Sequence, residues 1–158
     1  DQELRIAEDG ELLVRGYNVM LGYLDDPVAT AEAVDPDGWL HTGDLASIDD
    51  NGRVRIVGRK KDMFIVGGFN AYPAEIEGFL LEHPSVAQVA VIGTPDERMG
   101  QVGKAFVVAK DGAADISEAD LIAWCKQRLA GYKVPRAIVF LDELPLNATG
   151  KVMKDRLR

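Results

Sequence analysis

Apolar residues in the first third of the chain are spaced as in β-strands. Residues 11–15, followed by Gly16, and the apolar runs 45–48 and 54–57 each predict a strand. The last two runs flank Asp49-Asp50-Asn51-Gly52, and Asn-Gly between alternating apolar residues is the strongest short signal for a β-hairpin. The pattern therefore predicts a β-rich first part.

A short helix is predicted between these strands. Asp26 before Pro27 has the chemistry of an N-cap followed by proline at the first helical position, and the alanine-rich residues 28–34 continue the helix. Residues 35–38, Asp-Pro-Asp-Gly, end it because these residue types favour turns.

The second part of the chain alternates helices and strands. Pro73 begins a helix with Glu75 and Glu77 in the first turn, where the helix dipole favours acidic residues. The helix has one apolar face, formed by Ile76, Phe79 and Leu80. Strands are predicted at residues 86–92, 105–109 and 137–141, with a polar loop over residues 94–100.

Two more helices are predicted near the end of the chain. Ser117 and Asp120 match a capping box, except that Asp replaces the usual Glu. The helix that follows has an apolar face formed by Leu121, Trp124, Cys125 and Leu129. Thr149 is predicted to cap a last helix, which would run through Lys151, Met153 and Leu157.

Together these patterns predict an α+β protein. A small β-rich N-terminal segment precedes a compact C-terminal domain, in which helices pack on a three-stranded sheet, and the boundary falls near residues 59–62.

The composition of the chain mainly serves to exclude some classes of function. The formal charge of −8 argues against a general nucleic-acid surface, although a polyanionic ligand could bind at the basic residues 59–61. The single Cys125 excludes an internal disulfide and fits a reducing compartment, and its helical spacing favours core packing over a nucleophilic role. No stretch is long and apolar enough to cross a bilayer. The chain has neither a signal-like start nor an initiator Met, so we expect it to be the later part of a longer protein.

Two polar segments could carry chemistry. Residues 58–68 have three adjacent cations, an apolar middle and the pair Gly67-Gly68. The cations cannot all face a core, because an unpaired buried charge is costly. The glycines permit a turn or a close approach of the backbone to a ligand. This segment is either a basic turn that leads into a strand or a surface for a phosphate-rich ligand. Thr42-Gly43-Asp44 is either a hydrogen-bonded turn or a site where Asp44 binds a diol such as a ribose.

Several motifs, taken in order, resemble those of the adenylate-forming superfamily of acyl-CoA synthetases, luciferases and peptide-synthetase adenylation domains. They are residues 10–16 with Gly22-Tyr23 and Pro27, residues 39–44, residues 58–62 through Glu75-Ile76-Glu77, residues 132–135, and residues 145–151. Each motif is modest alone. The ordered set covers nearly the whole chain and is highly specific.

The resemblance implies a two-step reaction. A carboxylate attacks the α-phosphate of ATP, which gives an acyl-adenylate and pyrophosphate, and a thiol then displaces AMP. It also implies that a small C-terminal domain rotates between the steps about a hinge. We therefore expect residues 1–58 to be the end of the large domain, residues 59–62 the hinge with Lys61 at the hinge position, and residues 63–158 the mobile domain.

The resemblance also implies roles for individual residues. Asp44 would bind the ribose hydroxyls, and Arg59 would contact the ribose or phosphates through its guanidinium fork. Lys151 would be catalytic and offset the charge that develops on the transferring group during adenylation. Three residues would lie beside the pantetheine tunnel in the thioester-forming state: Gly68 and its neighbours Gly67 and Phe69.

The chain departs from the family pattern at some positions. Ile65 stands where many relatives have a lysine, which argues against a bioluminescent or oxidative second step. Asn70 replaces an arginine that contacts phosphate in some acetate-type enzymes. The Lys151 segment is not a Walker A loop, since Pro145 occupies the position of the earlier glycine and Val152 follows the lysine. Without the ordered motifs, Lys151 would be interpreted as an exposed lysine in the first turn of the terminal helix.

The sequence thus predicts part of an ATP-dependent acid–CoA ligase, with ATP/AMP as the nucleotide and CoA as co-substrate. Residues 62–73 most resemble bacterial ligases for fatty acids and steroid side chains. The resemblance implies that the family's phosphate loop and acyl pocket would lie upstream of this chain, so the fragment alone is expected to be inactive. We expect Mg²⁺ to be bound mainly by that N-terminal domain, and the sequence assigns no metal ligand here. The expected partners are a small carboxylic acid, ATP, CoA and that domain, without nucleic acid, and the expected location is cytoplasmic. The alternatives are an adenylation domain that loads a carrier protein, and a non-catalytic module that binds a nucleotide or a partner.

Overall fold

The computed structural model describes residues 1–112 and 116–158, and these form two compact units, Asp1–Lys61 (unit 1) and Asp62–Arg158 (unit 2). The division between them falls within the segment 59–62. No helix in the described part of the chain is both long and apolar enough to cross a membrane.

Unit 1 is an antiparallel sheet in the order β1-β2-β3-β4, with one short helix. Its elements are β1 (Gln2–Ile6), β2 (Glu11–Gly16), α1 (Pro27–Ala33), β3 (Leu40–Ile48) and β4 (Val54–Arg59). The helix begins as predicted, because an Asp26 carboxylate oxygen accepts a hydrogen bond from the Ala29 amide at 2.9 Å. The predicted hairpin is confirmed as β3 and β4, which pair from Ile48 and Val54 onward.

Unit 2 contains a mixed sheet in the order β6-β5-β8-β7, with β9 parallel to β8. Its elements are β5 (Phe64–Val66), β6 (Phe69–Ala71), α2 (Pro73–Leu81), β7 (Val86–Asp96), β8 (Gly100–Ala109), α3 (Glu118–Lys126) and β9 (Ala137–Phe140), together with two 3₁₀ helices, Gly131–Lys133 and Lys154–Leu157. The α+β prediction is confirmed. The three predicted strands are present, but the described sheet has five strands, because the short hairpin β5–β6 joins it.

The two faces of the unit 2 sheet bury different clusters. On one face, α2 and α3 pack over the larger cluster, which includes Val89 and Val91. The alternate residues of β7, Ala90 and Ile92, belong to a smaller cluster with Leu144 and Leu157 of residues 144–158, the C-terminal segment. Successive side chains of a strand point to opposite faces, so the C-terminal segment covers the face opposite to the two long helices. We call these the helix face and the tail face.

The helix α3 confirms two local predictions. The Ser117 hydroxyl accepts a hydrogen bond from the Asp120 amide, and the Asp120 carboxylate accepts one from the Ser117 amide, so the capping box is complete. Cys125 is fully buried in the larger cluster, and burial raises the pKa of its thiol to about 11. The thiolate needed for a nucleophilic role is therefore disfavoured.

Two predicted elements are wrong. Residues 94–96 extend β7 instead of forming a loop, since Thr94 pairs with Val102 and Asp96 with Gly100 in the hairpin to β8. No helix begins at Thr149. The side chain of Asn147 accepts a hydrogen bond from the amide of Lys151 at 2.9 Å, so the chain turns there. The only helical piece that remains is the 3₁₀ helix Lys154–Leu157.

Candidate functional site

The first group of candidate residues lies where β3 pairs with β4 in unit 1. Asp44 and Arg59 are direct partners in this pairing, and the Nε of Arg59 lies 2.8 Å from Oδ1 of Asp44. The Thr42 hydroxyl donates to the carbonyl of Leu12 at 2.7 Å and accepts from the Asp44 amide at 3.1 Å. Gly43 between them has φ +70°, a conformation that glycine adopts without strain. The structure thus shows the hydrogen-bonded turn that the sequence allowed, with the Asp44 carboxylate 26% exposed.

A buried carboxylate that the sequence analysis missed holds this turn in place. Glu11 is 4% exposed. Its Oε1 accepts from the amide of Gly43 at 2.9 Å, and its Oε2 lies 3.0 Å from Nζ of Lys60 and 3.2 Å from Nδ1 of His41. A carboxylate with three such partners is well satisfied although it is buried. Glu11 therefore connects β2, the turn in β3 and the end of β4.

These contacts shift the pKa values of the Glu11 carboxyl and of the Lys60 ammonium. Burial alone raises the pKa of the Glu11 carboxyl, but the hydrogen bonds from His41, Lys60 and the Gly43 amide more than offset this, so the pKa is below its ordinary value. Hydrogen bonds to Asp9 and Glu11 raise the pKa of Lys60. Lys60 is therefore held as a cation by two carboxylates and is not free for a ligand phosphate.

An open pocket lies beside the turn. Its volume is about 330 Å³, and it is lined by Gly43, Arg59, Lys60 and Lys61. Lys61 is exposed and is the last residue of unit 1, within the 3₁₀ turn Lys60–Asp62. Lys60 is engaged by its two carboxylates, but the exposed side chains of Arg59 and Lys61 beside the Gly43 backbone suit an anionic, phosphate-bearing ligand.

The glycine pair of unit 2 forms the tight turn of the hairpin β5–β6. Gly67 and Gly68 have φ +57° and +89°, and positive φ at both central residues is the conformation that two-residue hairpins favour. The Gly67 amide donates to the carbonyl of Met99 at 2.8 Å. A Cβ on Gly68 would meet no described heavy atom within 4 Å. The backbone at Gly68 is thus open to close approach.

An aromatic pair stands next to this turn. Phe69 is 60% exposed, and its ring stacks on that of Tyr132 with the centroids 5.0 Å apart. Tyr132 packs against the larger cluster, so the pair belongs to the helix face of the sheet. Phe69, the third residue expected beside the pantetheine tunnel, therefore lies next to Gly67 and Gly68.

Lys151 lies on the other face of unit 2. Its side chain is exposed, in a turn that the bridge between Leu146 and Val152 closes. Val152 packs against the smaller cluster, so this turn belongs to the tail face. Within the described residues, Lys151 makes no ion pair with an acidic side chain. The structure thus groups Asp44 with Arg59 and Gly67–Phe69 with Tyr132. The Lys151 turn packs with the tail face, whereas the pair of Phe69 and Tyr132 lies with the helix face.

The described residues offer no obvious place for a metal. Within residues 1–112 and 116–158, no three His, Cys, Asp or Glu side chains cluster in a way that could hold a metal ion.

Comparison with known proteins agrees with the resemblance of the motifs. Residues 75–151 match the model of the AMP-binding enzyme C-terminal domain. The chain belongs to the adenylate-forming superfamily. A 3-[(3aS,4S,7aS)-7a-methyl-1,5-dioxo-octahydro-1H-inden-4-yl]propanoyl:CoA ligase of Rhodococcus jostii is 60% identical over 99% of this chain, and a long-chain-fatty-acid–CoA ligase of Escherichia coli O157:H7 is 48% identical over the whole of it.

A solved adenylate-forming enzyme has the same fold over almost all of the chain. The o-succinylbenzoate CoA synthetase of Bacillus subtilis, in complex with its acyl-adenylate intermediate, matches 99% of the chain with a TM-score of 0.91 and 38% identity. The chain spans 30% of the length of the Rhodococcus relative, 28% of the Escherichia relative and 34% of the Bacillus chain. Because the chain covers only part of these proteins, the activity of the whole protein is a proposal.

Proposed function

We propose that the protein to which this chain belongs is an ATP-dependent, AMP-forming acid–CoA ligase. The observation that carries the proposal is that the Lys151 turn packs with the tail face of the unit 2 sheet, whereas Phe69 and Tyr132, beside Gly68, lie with the helix face. A single orientation of unit 2 could not present both faces to one substrate. A reaction in two steps, with a rotation between them, uses each face once.

In the first step, an oxygen of the substrate carboxylate attacks the α-phosphorus of ATP. The bond between the α-phosphorus and the bridging oxygen breaks, and pyrophosphate leaves. The Lys151 ammonium offsets the negative charge that develops on the phosphoryl oxygens. Asp44 accepts hydrogen bonds from the ribose hydroxyls, and Arg59, already oriented by Asp44, contacts the ribose or a phosphate.

In the second step, the CoA thiol attacks the acyl carbon of the adenylate, which forms the thioester and releases AMP. The pantetheine arm passes Gly68, where the missing side chain leaves room for it. Gly67 and Phe69 form the neighbouring wall. Lys61, the last residue of unit 1, absorbs the change in backbone torsion that exchanges the two faces.

The acid is proposed to be a fatty acid or a steroid side-chain acid. The names of the Rhodococcus and Escherichia relatives support this class, since one acts on a propanoyl group attached to a bicyclic ring system and the other on long-chain fatty acids. Mg²⁺ as the companion of ATP and a cytoplasmic location remain predictions.

One assay distinguishes the proposal from its rivals. The full-length protein is incubated with ATP, CoA and a panel of acids that includes long-chain fatty acids and ring-bearing propanoic acids, and AMP and acyl-CoA are quantified. We expect both products with at least one acid. Acyl-adenylate without acyl-CoA would favour a domain that loads a carrier protein. Nucleotide binding without either product would favour a non-catalytic module.

A further inference from the structure

The turn that carries Lys151 is closed on itself. Oδ1 of Asn147 accepts hydrogen bonds from the amides of Thr149 and Lys151 at 3.0 and 2.9 Å, and the Asn147 amide donates to the Lys151 carbonyl at 2.9 Å. These bonds fix the shape of the turn. They do not fix where the turn lies on the sheet, which depends on the residues on both sides of it, Leu144 before it and the segment after it.

Apolar contacts hold the segment after the turn against the tail face. Val152 and Leu157 belong to the smaller cluster with Phe106 and Ile92. Such contacts stabilise the segment in proportion to the area buried, but they are not directional. These apolar contacts therefore oppose movement of the segment away from the sheet more than movement along the sheet.

Lys154 supplies the directional contact. Its Nζ lies 2.7 Å from Oε1 of Glu77, and both side chains are largely shielded from water, at 23% and 20% exposure. The same oxygen of Glu77 accepts the Val91 amide at 2.8 Å. A single carboxylate oxygen therefore joins α2 on the helix face, the outermost strand β7 and the segment on the tail face.

The other ion pairs of α2 do not reach this segment. Glu75 pairs with Lys133, and Glu82 at the end of the helix pairs with Arg128. Among the ion pairs of the described residues, only that of Glu77 and Lys154 joins the helix to the segment 144–158. Lys154 stands three residues after Lys151, so a change in its position is passed directly to the turn.

We propose that Lys154, through Glu77, is a positioning residue of the adenylation step, because it fixes where Lys151 stands on the tail face. This inference rests on the function proposed above, since it needs Lys151 to act in that step. Loss of the ion pair would leave the segment folded but displaced, and the thioester step, which uses the helix face, would be spared.

The test uses Lys154→Met in the full-length protein, which keeps the aliphatic stem and removes the charge. Acyl-adenylate formation is followed by pyrophosphate release, and the second step by AMP release from synthetic acyl-adenylate and CoA. We expect the first rate to fall about 10- to 100-fold, since a displacement of about 1 Å can cost up to about 10²-fold, and the second to stay within about twofold. Lys154→Arg should restore most of the first rate. Glu77→Gln, which can still accept the Val91 amide, should behave like Lys154→Met.

Arg128→Met is the matched control, because it breaks another ion pair of α2 and leaves the segment untouched. It should change neither rate. Equal losses of both steps in Lys154→Met, or an unchanged first step, would overturn the positioning role.

Lys151→Ala, assayed beside Lys154→Met, separates a failure of the positioning role from a failure of the proposed function. If Lys151→Ala loses the first step alone while Lys154→Met loses nothing, only the positioning role is wrong. If Lys151→Ala is itself not selective, both are wrong.

Discussion

At the scale of single residues, Asp44 and Arg59 neutralise each other across two paired strands, and both side chains keep exposed surface. Under the proposed function, a ribose would meet a carboxylate that Arg59 already orients, on a backbone that the hydrogen bond from the Asp44 amide to the Thr42 hydroxyl holds in place. Preorganisation of this kind reduces the entropy lost on binding. The pair is therefore suited to hold a nucleotide and is not needed to hold the fold, since exposed ion pairs contribute little to stability.

Asp44→Ala in the full-length enzyme is predicted to raise the apparent KM for ATP. A charge-assisted hydrogen bond contributes about 1.5–3 kcal/mol, which corresponds to roughly 10- to 150-fold. Asp44→Asn should lie between Asp44→Ala and the wild type, because it keeps an acceptor oxygen but loses the charge. Steady-state kinetics at varied ATP measure this. An unchanged KM in Asp44→Ala would show that the turn is structural only.

At the scale of elements, Glu11 holds three strands of unit 1 together through the Gly43 amide, His41 and Lys60. Glu11→Gln should lower the free energy of unfolding by about 1–3 kcal/mol at neutral pH, because buried donors lose their charged partner. The pKa of Glu11 is depressed in the folded protein. The stability that its charge contributes is therefore present above the unfolded-state value of about 4.3 and is lost as pH falls through the lower folded-state value.

Calorimetry of the full-length protein between pH 7 and pH 3.5 tests this prediction. The difference in Tm between the wild type and Glu11→Gln should be largest at neutral pH and should shrink below about pH 4.3. Glu8→Gln is the control, as Glu8 is exposed close by in the chain. A Tm difference for Glu11→Gln that does not change with pH would mean that the carboxylate charge is not what stabilises these strands.

The elements also show which features the sequence could reveal. The starts of α1 and α3 depend on residues within three positions of each other, Asp26 with Ala29 and Ser117 with Asp120, so local patterns predicted them. The strand β1 was missed because four of its five side chains are exposed and its apolar alternation is limited to Leu4 and Ile6. The helix predicted from Thr149 failed because the side chain of Asn147 competes for the backbone amides.

The residues of the candidate site show the same limit of prediction from local sequence patterns. Asp44, Arg59 and Lys151 could be proposed from motifs, because the motifs name the residues directly. Glu11 could not be found in this way, because its partners are 30 to 49 residues away along the chain and a spacing of that size carries no signal. Only the pairing of β2 with β3, and of β3 with β4, brings them together.

At the scale of the whole molecule, the proposed reaction depends on motion about residues 59–62. Lys61→Pro in the full-length enzyme is predicted to slow the thioester step more than acyl-adenylate formation, because proline fixes φ and restricts the residue before it. Lys61→Ala is the control, since it removes the charge but leaves the backbone free. Half-reaction rates measure both variants. Equal losses in Lys61→Pro would point to misfolding instead of a restricted hinge.

The two faces of unit 2 give the most direct test. Lys151→Ala is predicted to reduce pyrophosphate release during acyl-adenylate formation on the order of 10²–10³-fold and to leave AMP release from synthetic acyl-adenylate and CoA nearly unchanged. Gly68→Leu should do the reverse, because its side chain fills the open space along the path of the thiol. Gly52→Leu is the matched control, as Gly52 also has a positive φ and open surroundings but lies in the β3–β4 hairpin turn.

The decisive measurement is the pair of half-reaction rates for Lys151→Ala and Gly68→Leu in the full-length enzyme. General destabilisation lowers both rates of a variant alike, so it cannot produce opposite selectivity in the two variants. Opposite losses, with Gly52→Leu close to the wild type in both steps, are the result predicted for a domain that uses its two faces in turn. Equal losses in Lys151→Ala, or normal thioester formation in Gly68→Leu, would contradict the alternation of faces.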